Sequence, residues 1–156
     1  MDVDVSIERS TAVAVPFERA IERMQDLTGT LQLFPKLAKL TSIGHHRYLW
    51  ELEPIGFKPA RISHVVRYAT EFNVDLEHGR VEWTPIAGEG NSLIRGHWVT
   101  VNHGDDIDIT LAISGTIGGL RVPLPFRPAV TPFVQSVFKE LVEGFLARLA
   151  EKVSSS

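Results

Sequence analysis

The sequence predicts an α+β fold: a bent antiparallel sheet of about six to seven strands wrapped around one long C-terminal helix, with two short helices after the first strand. Three observations carry this expectation. The chain opens with two-residue alternation of apolar and polar side chains. It continues through a series of short strand-like runs joined by tight turns. It closes on a broad apolar stripe at helical spacing. Consecutive strands with short connections pair antiparallel. A sheet with one apolar face must cover that face, and the last helix is the only element long and apolar enough to do so.

Each element follows from its own residues. Val3, Val5, Ile7, Thr11, Val13 and Val15 share one parity, against Asp4, Ser6, Glu8 and Ser10. That is the period of a half-buried strand. Pro16 stands where helices accept proline, in the first turn, and Phe17, Ala20, Ile21 and Met24 follow at helical spacing. Gly29 reads as the end of this helix or a residue just beyond it. Leu31 to Leu40 is apolar but broken by Pro35, which predicts a second short helical piece around the proline, then a strand through Leu40–Ile43. His46–Glu53 carries Tyr48, Trp50 and Leu52 on one parity, and Pro54-Ile55-Gly56 breaks it.

Arg61–Val74 reads as one long strand with Ile62, His64, Val66, Tyr68, Phe72 and Val74 on its apolar side. His78-Gly79 is a turn, Arg80–Ile86 a short strand and Ala87–Asn91 a loop. Leu93–Asn102 and Ile107–Gly115 flank His103-Gly104-Asp105-Asp106, a hairpin signal. Residues 116–132 are a connection rich in proline and glycine. Thr131-Pro132 then offers an N-cap and a first helical position. Val134, Val137, Phe138, Leu141, Val142, Phe145, Leu146 and Leu149 form the closing stripe, and the tail Ser154-Ser155-Ser156 is expected to fray.

Composition narrows the class. The chain has 156 residues, enough for one domain over 1–156 with a core that needs no staples. Net charge is −3, so nothing draws the chain as a whole to nucleic acid or anionic lipid. No apolar run reaches the length of about 18 residues that would predict a membrane span. Met1-Asp2-Val3-Asp4 does not read as a signal peptide. The absence of cysteine excludes disulfides, thiolate metal sites and cysteine nucleophiles, and suits a cytoplasmic location. A monomer or a homodimer is expected, the latter if the final stripe is a dimer face rather than a core face.

Several short segments carry a family resemblance. Val13-Ala14-Val15-Pro16-Phe17-Glu18 runs from strand into helix, and Leu33-Phe34-Pro35-Lys36-Leu37 breaks the next segment. Arg80-Val81-Glu82-Trp83, Gly96-His97-Trp98-Val99 and Asp105-Asp106-Ile107-Asp108-Ile109 follow. With the order of elements, these make nearly the whole chain resemble the START-like, or SRPBCC, helix-grip superfamily, on its polyketide cyclase/dehydrase-like branch. The superfamily also includes START lipid-transfer domains, plant pathogenesis-related proteins and coenzyme Q-binding carriers. The resemblance implies a helix-grip fold with an internal ligand cavity. It implies no shared catalytic set and no cofactor.

The hairpin decides which side chains face such a cavity. A two-residue turn at Gly104-Asp105 pairs Asn102 with Ile107, Thr100 with Ile109 and Trp98 with Leu111, turning Trp98 and Ile94 inward and Arg95, His97, Val99 and Val101 outward. A three-residue loop slips the register and brings Arg95 and His97 in. The first alternative buries a tryptophan and is preferred. The expected lining is then Trp50, His64, Tyr68, Phe72, Trp83 and Trp98, with Phe138 and Leu141 from the last helix. Aromatic walls suit a flat apolar ligand. The alternative is that these rings simply fill the core.

His64, Tyr68 and Arg95 are the candidate catalytic residues. His64 lies mid-strand on the apolar parity, where a histidine can bind a ligand or move a proton. Tyr68 shares its face about 13 Å further along a regular strand. His45-His46, as neighbours on a strand, would point to opposite faces and cannot share a metal. No metal motif, nucleophile elbow or phosphate loop occurs. Arg121 and Arg127 belong to a solvated loop or meet an anionic headgroup or partner. The function expected is binding of a small hydrophobic molecule, such as a lipid, isoprenoid or polyketide, by a carrier or sensor. The alternatives are a polyketide aromatase/cyclase or dehydratase, and a protein-interaction or co-chaperone module.

Overall fold

The computed structural model describes residues 1–155; Ser156, part of the tail expected to fray, lies outside the described residues. The alternating N-terminal run forms β1 (Val3–Val13), and α1 (Phe17–Arg23) follows with Pro16 at its N-cap. The second helix differs from the expectation. α2 spans Leu27–Leu31, ahead of Pro35, because the Asp26 side chain caps it by accepting from the Gly29 backbone N–H at 3.1 Å. Gly29 is therefore inside α2 and does not terminate α1. β2 (Leu37–Gly44) and β3 (Arg47–Leu52) form a hairpin, with Tyr48, Trp50 and Leu52 buried as the parity predicts.

The segment read as one strand from Arg61 to Val74 is two. β4 (Ile55–Phe57) and β5 (Ile62–His64) form a separate two-stranded ribbon, and β6 (Arg67–Asp75) returns to the main sheet beside β3. Asn91 sits at the break: its Nδ2 donates to the Val65 carbonyl at 2.8 Å, and its Oδ1 accepts from the Arg67 N–H at 3.1 Å. A side chain thus takes over hydrogen bonds that a continuous ladder would have made. β7 (Arg80–Gly90) runs through the stretch expected to be a loop. Gly90, at φ 76°, pairs with Tyr68 across a bulge, where a Cβ would lie 2.3 Å from the Arg67 carbonyl oxygen.

β8 (Ser92–Asn102) and β9 (Ile107–Ile117) complete a seven-stranded antiparallel sheet in the order β1-β9-β8-β7-β6-β3-β2. α3 then runs from Arg127 to Ser154. It starts five residues earlier than an N-cap at Thr131 suggests, because Pro128 takes the proline-tolerant first turn and leaves Pro132 inside the helix. Val130, Val134, Phe138, Leu141, Val142, Phe145, Leu146, Leu149 and Val153 are buried on the face that α3 turns to the sheet. Among the described residues, no helix is long and apolar enough to cross a membrane.

Candidate functional site

The β8–β9 hairpin fixes the interior wall. The His103 N–H donates to the Asp106 carbonyl at 2.9 Å, and Gly104 adopts φ 92°, closing a two-residue turn. The pairs Asn102–Ile107, Thr100–Ile109 and Trp98–Leu111 form as the preferred register requires. Trp98 is 1% exposed, while Arg95 is exposed on the opposite face with His97 half-buried beside it. Arg95 and His97 line an outer-face cleft of about 430 Å³, so Arg95 does not join the other candidates inside.

The remaining expected lining residues on the main sheet and α3 are buried: Trp50, Tyr68, Phe72, Trp83, Trp98, Phe138 and Leu141. The aromatic ones on the sheet form a continuous chain of ring contacts, joined through Trp50 and Phe72 at 6.4 Å. Trp50 stacks on Tyr68 at 5.5 Å, Phe72 meets Trp83 at 5.2 Å, and Trp83 meets Trp98 edge-on at 6.1 Å. One ring in this cluster is not expected from the sequence. Phe34, from the turn after α2, stacks on Phe145 at 4.0 Å and 18° and meets Trp50 and Trp83 edge-on. Its neighbour Pro35 packs against α3 at Gly144, where a Cβ would lie 2.7 Å from the proline ring. The Leu33–Leu37 break is the available signal, but it reads as an interruption rather than as an insertion into the core.

The polar atoms inside this wall differ in their satisfaction. Trp50 Nε1 donates to Thr70 Oγ1 at 2.8 Å, and the Tyr48 hydroxyl pairs with Thr28 Oγ1 at 2.7 Å. Trp98 Nε1 is buried with no partner. An indole N–H is a donor only, so no rearrangement of its own satisfies it. Burial raises the pKa of the Tyr68 hydroxyl above its ordinary value, which keeps it protonated across the physiological range.

His64 is not where a single long strand would put it. It lies on β5 in the ribbon, paired with Ile55, half-buried beside Gly119. The spacing from Tyr68 expected for one strand does not apply across the break. Its Nε2 is buried without a partner. Desolvation lowers its pKa below the ordinary histidine value; the Gly118 backbone partly opposes this, and the Arg67 charge adds to it. His64 thus belongs to the margin formed by the ribbon and the β9–α3 connection, where Phe57 also meets Phe133 of α3 at 5.2 Å. His45 and His46 occupy the β2–β3 turn rather than a strand, and their rings stack at 3.9 Å instead of facing apart; His46 has φ 54°. Among the described residues, no three histidine or carboxylate side chains converge as metal ligands would.

No protein-family model and no curated protein matches the sequence. Solved structures do match the fold. A protein of Thermus thermophilus superposes with a TM-score of 0.68 at 24% identity, over 97% of this chain and 99% of that one. The Zhui aromatase/cyclase from a Streptomyces species superposes with a TM-score of 0.66 at 11% identity, over 96% and 93% of the two chains. A START superfamily protein from Mycobacterium smegmatis gives a TM-score of 0.57 at 12% identity, over 94% and 97%. The fold is the START-like helix-grip fold. In this fold the cluster described above lies on the buried face of the sheet and meets α3 through Phe145.

Proposed function

We propose that this helix-grip chain binds a small hydrophobic molecule, such as a lipid, isoprenoid or polyketide, between the concave face of its sheet and α3, as a carrier or sensor. The observation that carries the reading is Trp98: a fully buried N–H without an acceptor, set in a wall of aromatic rings. Buried donors in folded proteins almost always have partners, so an orphan inside an apolar wall supports a reading in which a ligand supplies one. Trp50, Tyr68, Phe72, Trp83, Phe138 and Leu141 would form the wall, with His64 at its margin. Native mass spectrometry of protein purified from cells tests the reading. The expected result is a bound apolar molecule, or a thermal shift with members of a hydrophobic ligand library. A bare mass together with no shift from any member overturns it.

A cyclase or dehydratase reading would give Tyr68, stacked on Trp50 at 5.5 Å in the aromatic wall, the role of hydrogen-bond or proton donor to the substrate. Similarity to the Zhui aromatase/cyclase supports the fold of that reading and not its chemistry. Turnover of a polyketide-like substrate that Tyr68→Phe abolishes without loss of binding would favour it over the carrier.

A further inference from the structure

Phe34 is the ring that fills the centre of the cluster, and it is also among the residues lining a surface cleft of about 400 Å³ with Gln32, Leu37, Leu40, Glu53 and Arg148. It therefore stands between solvent and the aromatic wall. We propose that Phe34 is a displaceable plug: a flat apolar ligand entering from this cleft takes the place of its ring on Phe145 and presents an acceptor oxygen to Trp98 Nε1. The inference rests on the binding reading above and names the ligand class and the route.

The slot already has the shape of a flat ring. Phe34 lies face to face on Phe145 at 4.0 Å, while Trp50 and Trp83 meet it edge-on at 5.5 and 6.4 Å. A fused or conjugated ring system fits the same arrangement with more stacking area. Trp98 shares two of these neighbours, touching Phe145 at 5.4 Å and Trp83 at 6.1 Å. Its cross-strand partners are Val81 and Leu111. Apolar neighbours of this kind do not supply the several polar partners that hold a buried water. A carbonyl or phenolic oxygen on the ligand meets the donor without that requirement.

The side-chain contacts that hold the turn carrying Phe34 open easily. Lys36 Nζ pairs with Glu140 at 3.0 Å, and Arg148 donates to the Leu33 carbonyl at 3.2 Å; both contacts are exposed. Exposed pairs are individually weak. Lys36 also has φ 61°, a left-handed conformation costly for a side chain with a Cβ. The plug is thus seated by packing, by Pro35 against Gly144 and by the Glu53 N–H donating to the Lys36 carbonyl at 2.7 Å, while its side-chain ties are weak.

The test compares 2-acetylnaphthalene with 2-ethylnaphthalene, near-isosteres that differ in one acceptor oxygen, by equilibrium dialysis. The ketone pays for losing water from its oxygen, so the measure of the Trp98 hydrogen bond is how far the preference between the two probes changes when the donor is removed. Trp98→Phe should lower the ketone-to-hydrocarbon preference about tenfold while retaining the hydrocarbon, because the ketone then buries its oxygen unpaired. Phe34→Ala should tighten both probes about tenfold without changing the ratio, because the displacement step is removed. Phe34→Leu, which keeps apolar bulk, should tighten both by a smaller factor and serves if the alanine variant does not fold. A ratio unchanged in Trp98→Phe overturns the assignment of Trp98. Affinities unchanged in the Phe34 variants overturn the plug. In either case, a bound apolar molecule in the native mass spectrum leaves the binding reading standing; its failure there and here removes both.

Discussion

Replacing Gly96 with alanine puts a methyl group where the indole of Trp83 already lies. The two residues are cross-strand partners on β7 and β8, and the ring leans over the glycine. The new Cβ would sit 2.3 Å from Cζ2 and 2.6 Å from Cη2 of Trp83, and 2.7 Å from the Ala112 carbonyl oxygen. Neither neighbour can yield cheaply. Trp83 is buried and wedged between Phe72 at 5.2 Å and Trp98 at 6.1 Å, and the Ala112 oxygen belongs to the backbone of β9. Overpacking a core typically costs about 1–3 kcal/mol, and a clash on two sides belongs at the top of that range. Stiffening the unfolded chain returns only about 0.4–1 kcal/mol, so the clash wins. A net loss of about 2–3 kcal/mol corresponds to a fall in Tm of about 4–12 °C for a chain of this size. Urea denaturation followed by circular dichroism reads it directly. In a Trp83→Leu background the same substitution should cost at least about 1 kcal/mol less, because one of its two obstacles is gone. A loss below about 0.5 kcal/mol in wild type, or the same loss in both backgrounds, would refute the packing argument.

Other expectations concern polar atoms and turns. Thr70→Val leaves the Trp50 N–H without its acceptor and should cost about 1–3 kcal/mol in urea melts, whereas Thr70→Ser keeps the hydroxyl acceptor and should cost less. The order of these two losses is the check, and its reversal would contradict the hydrogen-bond assignment. His64 should make the fold less stable as pH falls. Its folded pKa lies below 6.5, so below that pH the unfolded chain protonates first, binds more protons and is favoured. His78 acts oppositely, because Asp75 raises its pKa; comparing wild type with His64→Asn isolates the His64 contribution, and the difference in stability between them should drift toward the variant between neutral and acidic pH. A pH-independent difference would count against the burial of this ring. Gly104→Ala meets no neighbour within 4 Å, so its cost is purely the left-handed backbone at φ 92°, about 1–2 kcal/mol by thermal melt.

The sequence carries some of this architecture in plain view and hides the rest. The register of β8 and β9 is legible because burying Trp98 and four aliphatic residues of β9 on one face leaves little choice of parity. The stripe of α3 is legible for the same reason. The ribbon is not, because Ile62, His64, Val66 and Tyr68 keep a single parity straight through the break, and the cause of the break is a distant side chain, Asn91. Periodicity cannot report a hydrogen bond from another strand. Parity alone turns Trp50, Tyr68, Phe72, Trp83 and Trp98 inward, and all five are buried. Phe34 escapes such a reading because its placement depends on Pro35 meeting Gly144, a contact between residues more than a hundred positions apart. Arg95 faces the other side of the sheet, as the favoured register itself implies.

β2 is the border of the sheet nearest the Phe34 cleft, and its ladder with β3 is irregular. The pairing slips between Leu37 and Lys39 and again between Ser42 and Gly44, and Lys39 is exposed along it. A straight, greasy border would offer a row of free amides to any passing chain. A doubly kinked one carrying an ammonium group makes a poor template for such addition. The irregular ladder of β2 thus makes this border of the sheet resist pairing with a second polypeptide.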